Sequence, residues 1–158
     1  MSPEKSTPKF TLNAAFFQEI KDDHQQLQCV LSRLRELEFN RAAIANHAKE
    51  FVELLAGLLD QLAFHFTLEE AYGYFEDALE NAPRFHEQAG SLRGQHSTLF
   101  VMCQELVDAA NACIAHRDRD LTPVLDRFKA FDRSFKAHES AELNLIMEAM
   151  TQDVGVGD

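Results

Sequence analysis

From residue 9 to residue 56 the chain runs without a single glycine or proline. A chain of β-strands needs turn residues every several positions, so a stretch of this length commits itself to helix. The whole sequence of 158 residues holds only 6 Gly and 4 Pro, and apolar residues recur through it at three- and four-residue steps, the period of amphipathic helices. The first such run contains Phe16, Phe17, Ile20, Leu27, Val30, Leu31 and Leu34; it is expected to start near Thr11 or Asn13 and to end near Phe39 and Asn40. The second contains Phe51, Leu54, Leu55, Leu58, Leu62, Tyr72 and Leu79, with Gly57 and Gly73 as weak points, and continues to about Asn81, where Pro83 forces a break. Phe85, Ala89, Leu92, Leu99, Cys103, Leu106, Ala110 and Cys113 form a third, weakened early by Gly90 and Gly94. Thr122 and Pro123 read as cap and first turn of a fourth, carried by Val124, Phe128, Phe131, Phe135, Leu145 and Ala149. Long helices with short connections pack most economically as an all-α, up-down-up-down four-helix bundle. The expected organisation is a flexible segment over residues 1–10, the bundle over 11–150, and a flexible tail over 151–158.

At 46% hydrophobic residues, a chain of this size can fill one core without staples. Its 15 Lys and Arg against 26 Asp and Glu leave a net charge of −11, which repels nucleic acid and anionic lipid, so neither is expected as a partner. Cys29, Cys103 and Cys113 form no CxxC pair and suit reduced, buried thiols in a cytoplasmic protein. The opening MSPEKSTPKF has no secretory pattern, and no uninterrupted apolar run reaches membrane-spanning length. No Ser/His/Asp triad, phosphate loop or activated cysteine is indicated.

The informative positions are those where the apolar stripes are interrupted, because a polar residue at a core position costs several kcal/mol unless something satisfies it. The inward positions run Ile20, His24, Leu27, Leu31 on the first helix and Leu62, His65, Glu69, Tyr72 on the second. They run Leu92, His96, Leu99, Cys103 on the third and Phe135, His138, Glu142, Leu145 on the fourth. His65 and Glu69, like His138 and Glu142, are separated by four residues, about 40° of rotation and about 6 Å of rise, so each pair can reach one site. Counting from the connections places His65, His96 and His138 at similar depth. The first connection balances less well, which requires part of residues 41–48 to be non-helical or the boundary to lie elsewhere. His47, His86 and His116 are displaced along their helices by about 15 to 30 Å from the others, and read as surface or bundle-end residues.

Mixed imidazole and carboxylate ligands suit iron, manganese or zinc. The chain has no HExxH, and no histidine has a glutamate three residues before it, which sets aside zinc proteases and ferritin-like di-iron bundles. The ordered set DDHQQL (His24), HFTLEE (His65, Glu69), RGQHSTLF (His96) and AHESAEL (His138, Glu142) resembles the hemerythrin-like, or HHE cation-binding, family over residues 14–150. That resemblance implies a bundle holding two iron ions in an oxo- or hydroxo-bridged centre, with the glutamates bridging. Its expected ligand is dioxygen or a similar small diatomic molecule or peroxide, for oxygen binding, sensing or iron holding.

The chain departs from oxygen-carrying hemerythrins at Phe100, where they have a second third-helix histidine, and at Glu142, a glutamate at four residues rather than an aspartate at five. Two six-coordinate irons then keep about two open positions instead of one, unless Glu70, Tyr72 or Glu139 fills in. Those three read as supporting or surface residues. The extra opening leaves a di-iron enzyme acting on peroxide or nitric oxide as an alternative, and a metal-free hydrogen-bonded bundle as another. Phe66, Phe100, Phe131 and Phe135, among 13 Phe, adjoin the candidate ligands in sequence and can be core or a dry pocket wall favouring small apolar ligands.

Overall fold

The structure is a computed structural model. It describes the backbone of residues 6–71, 83–116 and 120–156, and the side chains of residues 22–71, 83–116, 120–149 and 151. Four long helices account for most of it: α1 (Ser6–Phe39), α2 (Ala48–Ala71), α3 (His86–Ala115) and α4 (Thr122–Val156). There is no strand among the described residues. Consecutive helices pack along their lengths, whereas α1 and α4 touch only sparsely, so the four-helix bundle is closed on three seams and looser on the fourth.

The expected stripes form the core. Leu27, Leu31 and Leu34 of α1 meet Phe51, Leu55, Leu58 and Leu62 of α2, Leu99, Cys103 and Leu106 of α3, and Phe128, Phe131 and Phe135 of α4 in one cluster. A second, smaller cluster holds Phe85, Ala89, Leu92, Leu145 and Ala149. Between them α3 and α4 carry His96, His138 and Glu142, so a polar layer separates two apolar ones. Arg35 of α1 grips Asp132 of α4 with two hydrogen bonds of 2.9 and 2.7 Å, and Arg41 reaches Asp126 at 2.8 Å. These pairs hold the loose seam on the side of the larger cluster.

Several boundaries differ from expectation. Residues Arg41–His47 form a 3-10 helix that buries Ile44, so the α-helical run is broken in the connection where the depth count required a break. With α2 starting at Ala48, His65 lies 17 residues from the turn and His24 lies 15 from the end of α1, a mismatch of about 3 Å. Helix α1 begins at Ser6 rather than near Thr11, so residues 6–10 belong to the first helix. Pro8 falls in the first turn, where its missing N–H leaves no helical bond unmade. Helix α4 likewise runs through Val156 rather than ending at 150, and Thr151 donates back to the Met147 carbonyl at 2.8 Å. Its start is as expected, but the capping carboxylate belongs to Asp120, which accepts from the Thr122 N–H at 3.1 Å. Phe16, Phe17 and Ile20 as side chains, and the continuation of the second helix through Tyr72, Gly73 and Leu79 to Asn81, lie outside the described residues.

Windows within Arg41–Ala71 and Pro83–Ala115 reach a mean hydropathy of 1.3, so both segments are long and apolar enough to cross a membrane, although neither holds an uninterrupted apolar run of that length. Those helices carry His65, Glu69 and His96, and turn their apolar stripes onto neighbouring helices of the bundle.

A Cβ placed on Gly57 or Gly90 would meet nothing within 4 Å. Both sit inside helices, where alanine restricts the unfolded chain at no steric cost. Gly57→Ala and Gly90→Ala should each add about 0.5–1 kcal/mol, seen as a rise in Tm of about 1–4 °C per substitution in thermal melts.

Candidate metal centre

Helices α2, α3 and α4 bring His65, Glu69, His96, His138 and Glu142 together, all of them buried. Their donor atoms form two groups, each gathered within 4.8 Å: Glu69, His96, His138 and Glu142 in one, and His65, Glu69 and Glu139 in the other. Glu69 belongs to both. Its Oε1 lies 2.7 Å from His65 Nε2 and its Oε2 lies 3.2 Å from His96 Nε2, so the two oxygens of one carboxylate face two different donor sets. Glu142 Oε2 lies 3.1 Å from His138 Nε2, and Glu139 Oε1 lies 3.4 Å from His65 Nε2. We call the His96 group the inner position and the His65 group the outer one.

The histidines are oriented from behind. Nδ1 of His65 lies 2.7 Å from Asp23 Oδ2, that of His96 lies 3.1 Å from Glu70 Oε1, and that of His138 lies 2.9 Å from Gln95 Oε1. Each partner is an acceptor, which assigns the ring proton to Nδ1 and leaves an Nε2 lone pair aimed at the cluster. Nε2 of all three rings, Oε2 of Glu69 and Glu142 and Oε1 of Glu139 are buried without an aligned hydrogen-bond partner. Lone pairs converging in a buried space, three of them carboxylate, are what a multivalent cation satisfies and what a hydrogen-bonded network does not. The donor set therefore fits a metal centre of mixed nitrogen and oxygen ligation.

In the metal-free chain, protons take the place of that positive charge. Burial disfavours the charged form of His65, but the Asp23, Glu139 and Glu69 carboxylates outweigh it and push the pKa up to about 12. Burial opposes charge on His96 as well, and Glu142, Glu69 and Glu70 raise it to about 9. Glu69, despite burial, is pulled down to about 2 by His65 and His96. A raised histidine pKa stabilises the fold fully below its unfolded value, near 6.5, and that contribution disappears as pH climbs through the folded value. The metal-free Tm should thus fall between pH 6.5 and about 9 as His96 loses its proton. Cation binding displaces the same protons, so a divalent-cation titration in weak buffer at pH 7 should release about two protons per chain, and affinity should rise toward pH 9. Potentiometry alongside the titration measures the release.

His24 stands differently. Its side chain is exposed, in neither donor group, and lines a pocket of about 570 Å³ together with His65, Glu69, Phe135, Glu139 and Glu142. The buried position on that turn of α1 is Asp23, at 2% exposure. Glu139, half-buried, is the other residue that the stripe reading passed over. Phe100, half-buried, belongs to neither group. Phe66 is the aromatic centrepiece: it stacks on His96 at 4.0 Å between centroids and meets His138 edge-on at 6.0 Å and His65 at 5.6 Å. Phe135 lines the pocket, and Phe131 stacks behind it. His47 contacts Glu50 at 3.4 Å, His86 and His116 are exposed, and none of the three joins either group. Burial pushes the Cys103 thiol up to about 12, so it is no nucleophile.

The family model of the hemerythrin HHE cation-binding domain matches residues 15–150. The chain belongs to the hemerythrin HHE cation-binding family. The match spans most of α1, all of α2 and α3 and the greater part of α4, and so contains every residue of both donor groups. No curated protein and no solved structure matches the chain significantly. Cation binding is the property named by the family, and five of the six ligands expected from the sequence, His65, Glu69, His96, His138 and Glu142, lie in the two donor groups, while His24 does not.

Proposed function

We propose that this hemerythrin-family domain is a non-haem di-iron protein that binds dioxygen or a related small molecule. The observation that carries the reading is Glu69, whose two oxygens face separate donor groups, as a carboxylate shared by two cations must. His96, His138, Glu69 and Glu142 would hold the inner iron; His65, Glu69 and Glu139 would hold the outer one, with His24 supplying a further imidazole from the pocket wall. When bound, the metal pair supplies reversible small-molecule ligation or redox chemistry. The protein residues orient the donors through their Nδ1 hydrogen bonds and line the approach with Phe135, Leu143 and Ile146. With Glu142 in the inner group alone, the other six ligands and an oxygen bridge would leave about three of about twelve positions open; Glu139 would take one, and the about two that remain suit small-molecule binding and keep the enzymatic alternative in play. Three cysteines with no CxxC pair among them suit the cytoplasm as its compartment.

Metal analysis after expression in iron-supplemented cells tests the proposal. About two irons per chain is the expected result; one metal, zinc, or none after anaerobic ferrous reconstitution would overturn it. A stable oxygenated spectrum then supports binding, whereas sustained turnover of peroxide or nitric oxide would favour the enzymatic alternative.

A further inference from the structure

Asp23 sits four residues before Leu27 on the stripe continued by Leu31 and Leu34, all three fully buried, in a position where another leucine would serve the core. It is itself 2% exposed. A carboxylate in such a place is costly unless it has a partner of opposite charge or a donor. Among the described residues it has one, the imidazole of His65 at 2.7 Å, while its Oδ1 has no hydrogen-bond partner at all. The contact is made at Nδ1, on the far side of the ring from Glu69 and Glu139, and Asp23 belongs to neither donor group. Its contact with the donor groups is therefore made through His65.

The other two histidines are backed differently. Glu70, behind His96, has a half-exposed side chain, so water screens its charge. Gln95, behind His138, is a neutral amide on an exposed residue. Only His65 is backed by a fully desolvated negative charge, where low polarisability makes the electrostatic effect strongest. The outer position also has the fewer donors within the gathered groups, one imidazole and two carboxylates against two of each. We propose that Asp23 is a positioning residue which, by polarising and orienting His65, sets the cation affinity of the outer position and leaves that of the inner position unchanged. This inference rests on the two-cation reading above. A buried carboxylate behind the imidazole fixes its Nδ1–H tautomer and increases the electron density at Nε2, which strengthens the single imidazole of the outer group.

The experiment is a titration of the metal-free full chain with Co²⁺, followed by absorbance and calorimetry. Wild type should take up two equivalents in distinguishable phases. Glu139→Gln identifies the outer phase and His138→Gln the inner one, since each touches one position only. Asp23→Asn keeps the size and the acceptor oxygen but removes the charge, and should weaken the outer phase by about 10–100-fold while shifting the inner phase by less than about twofold. Asp23→Ala, which also removes the acceptor, should weaken it at least as much. A purely structural role would lower the metal-free Tm of Asp23→Asn and weaken both phases equally; that result, or an unchanged outer phase, would overturn the proposal. Wild type taking up fewer than two Co²⁺ would remove the two-cation reading itself and this inference with it, a failure distinct from two phases that ignore Asp23.

Discussion

Glu69→Ala is expected to empty both positions at once, lowering bound metal from about two ions per chain to near zero. No other residue is shared by the two donor groups. Losing it takes one oxygen from beside His65 and one from beside His96, and leaves two cations without the anion that separates their charges. His65→Ala, by contrast, should leave about one ion, held by the inner group, and His47→Ala, His86→Ala and His116→Ala should retain about two. Metal analysis of these variants purified side by side makes the comparison. The ranking matters more than any single value: a shared ligand must cost more metal than either neighbour that it joins. Glu69→Gln separates charge from bulk, since the amide fills the same volume and can offer only one neutral acceptor.

The second large effect is on stability. Phe66→Ala should cost about 3–5 kcal/mol, a fall in Tm of about 6–20 °C. The ring is buried and touches all three buried imidazoles, face to face with His96 and more nearly edge-on with the others. Its removal opens a cavity in the one layer where the neighbours are polar and cannot collapse into the void without losing their Nδ1 partners. Phe64, two residues earlier and 54% exposed, is the comparison: Phe64→Ala should change stability by no more than about 0.5 kcal/mol. Thermal melts of the metal-free forms isolate packing from metal affinity.

The parts of the site that were legible before the fold was known are those encoded by local periodicity. His65 with Glu69 and His138 with Glu142 declare themselves because a step of four puts both side chains on one stripe, and His96 because it stands between Leu92 and Leu99. On α1 the period is ambiguous: positions 23 and 24 are both one turn before Leu27, at steps of four and three, and helical spacing alone cannot tell which turns inward. The structure buries Asp23 and leaves His24 on the pocket wall. Glu139 reads from the sequence as a supporting or surface residue because it follows His138 and is rotated about 100° from it. It nonetheless shares a stripe with Phe135, Glu142 and Ile146, which all line the same pocket, and that second stripe was the available signal. The role of Phe66 depends on rings from three helices and has no local signature. The 3-10 turn at Arg41–His47 could be inferred as a length discrepancy but not as a conformation.

The sandwich of a polar layer between two apolar clusters divides the bundle into unequal drums. The larger is held by packing across all four helices and by the Arg35–Asp132 grip. The smaller, among the described residues, has five members from the start of α3 and the far part of α4. The donors His96, His138 and Glu142 lie on its border with the larger drum, where groups from one end of the bundle meet those from the other. Ions held in the proposed centre would therefore do more than equip the site for chemistry: by joining donors of α2, α3 and α4 they would couple the end near Phe85 and Ala149 to the rest, so that metal removal is expected to let that end open separately.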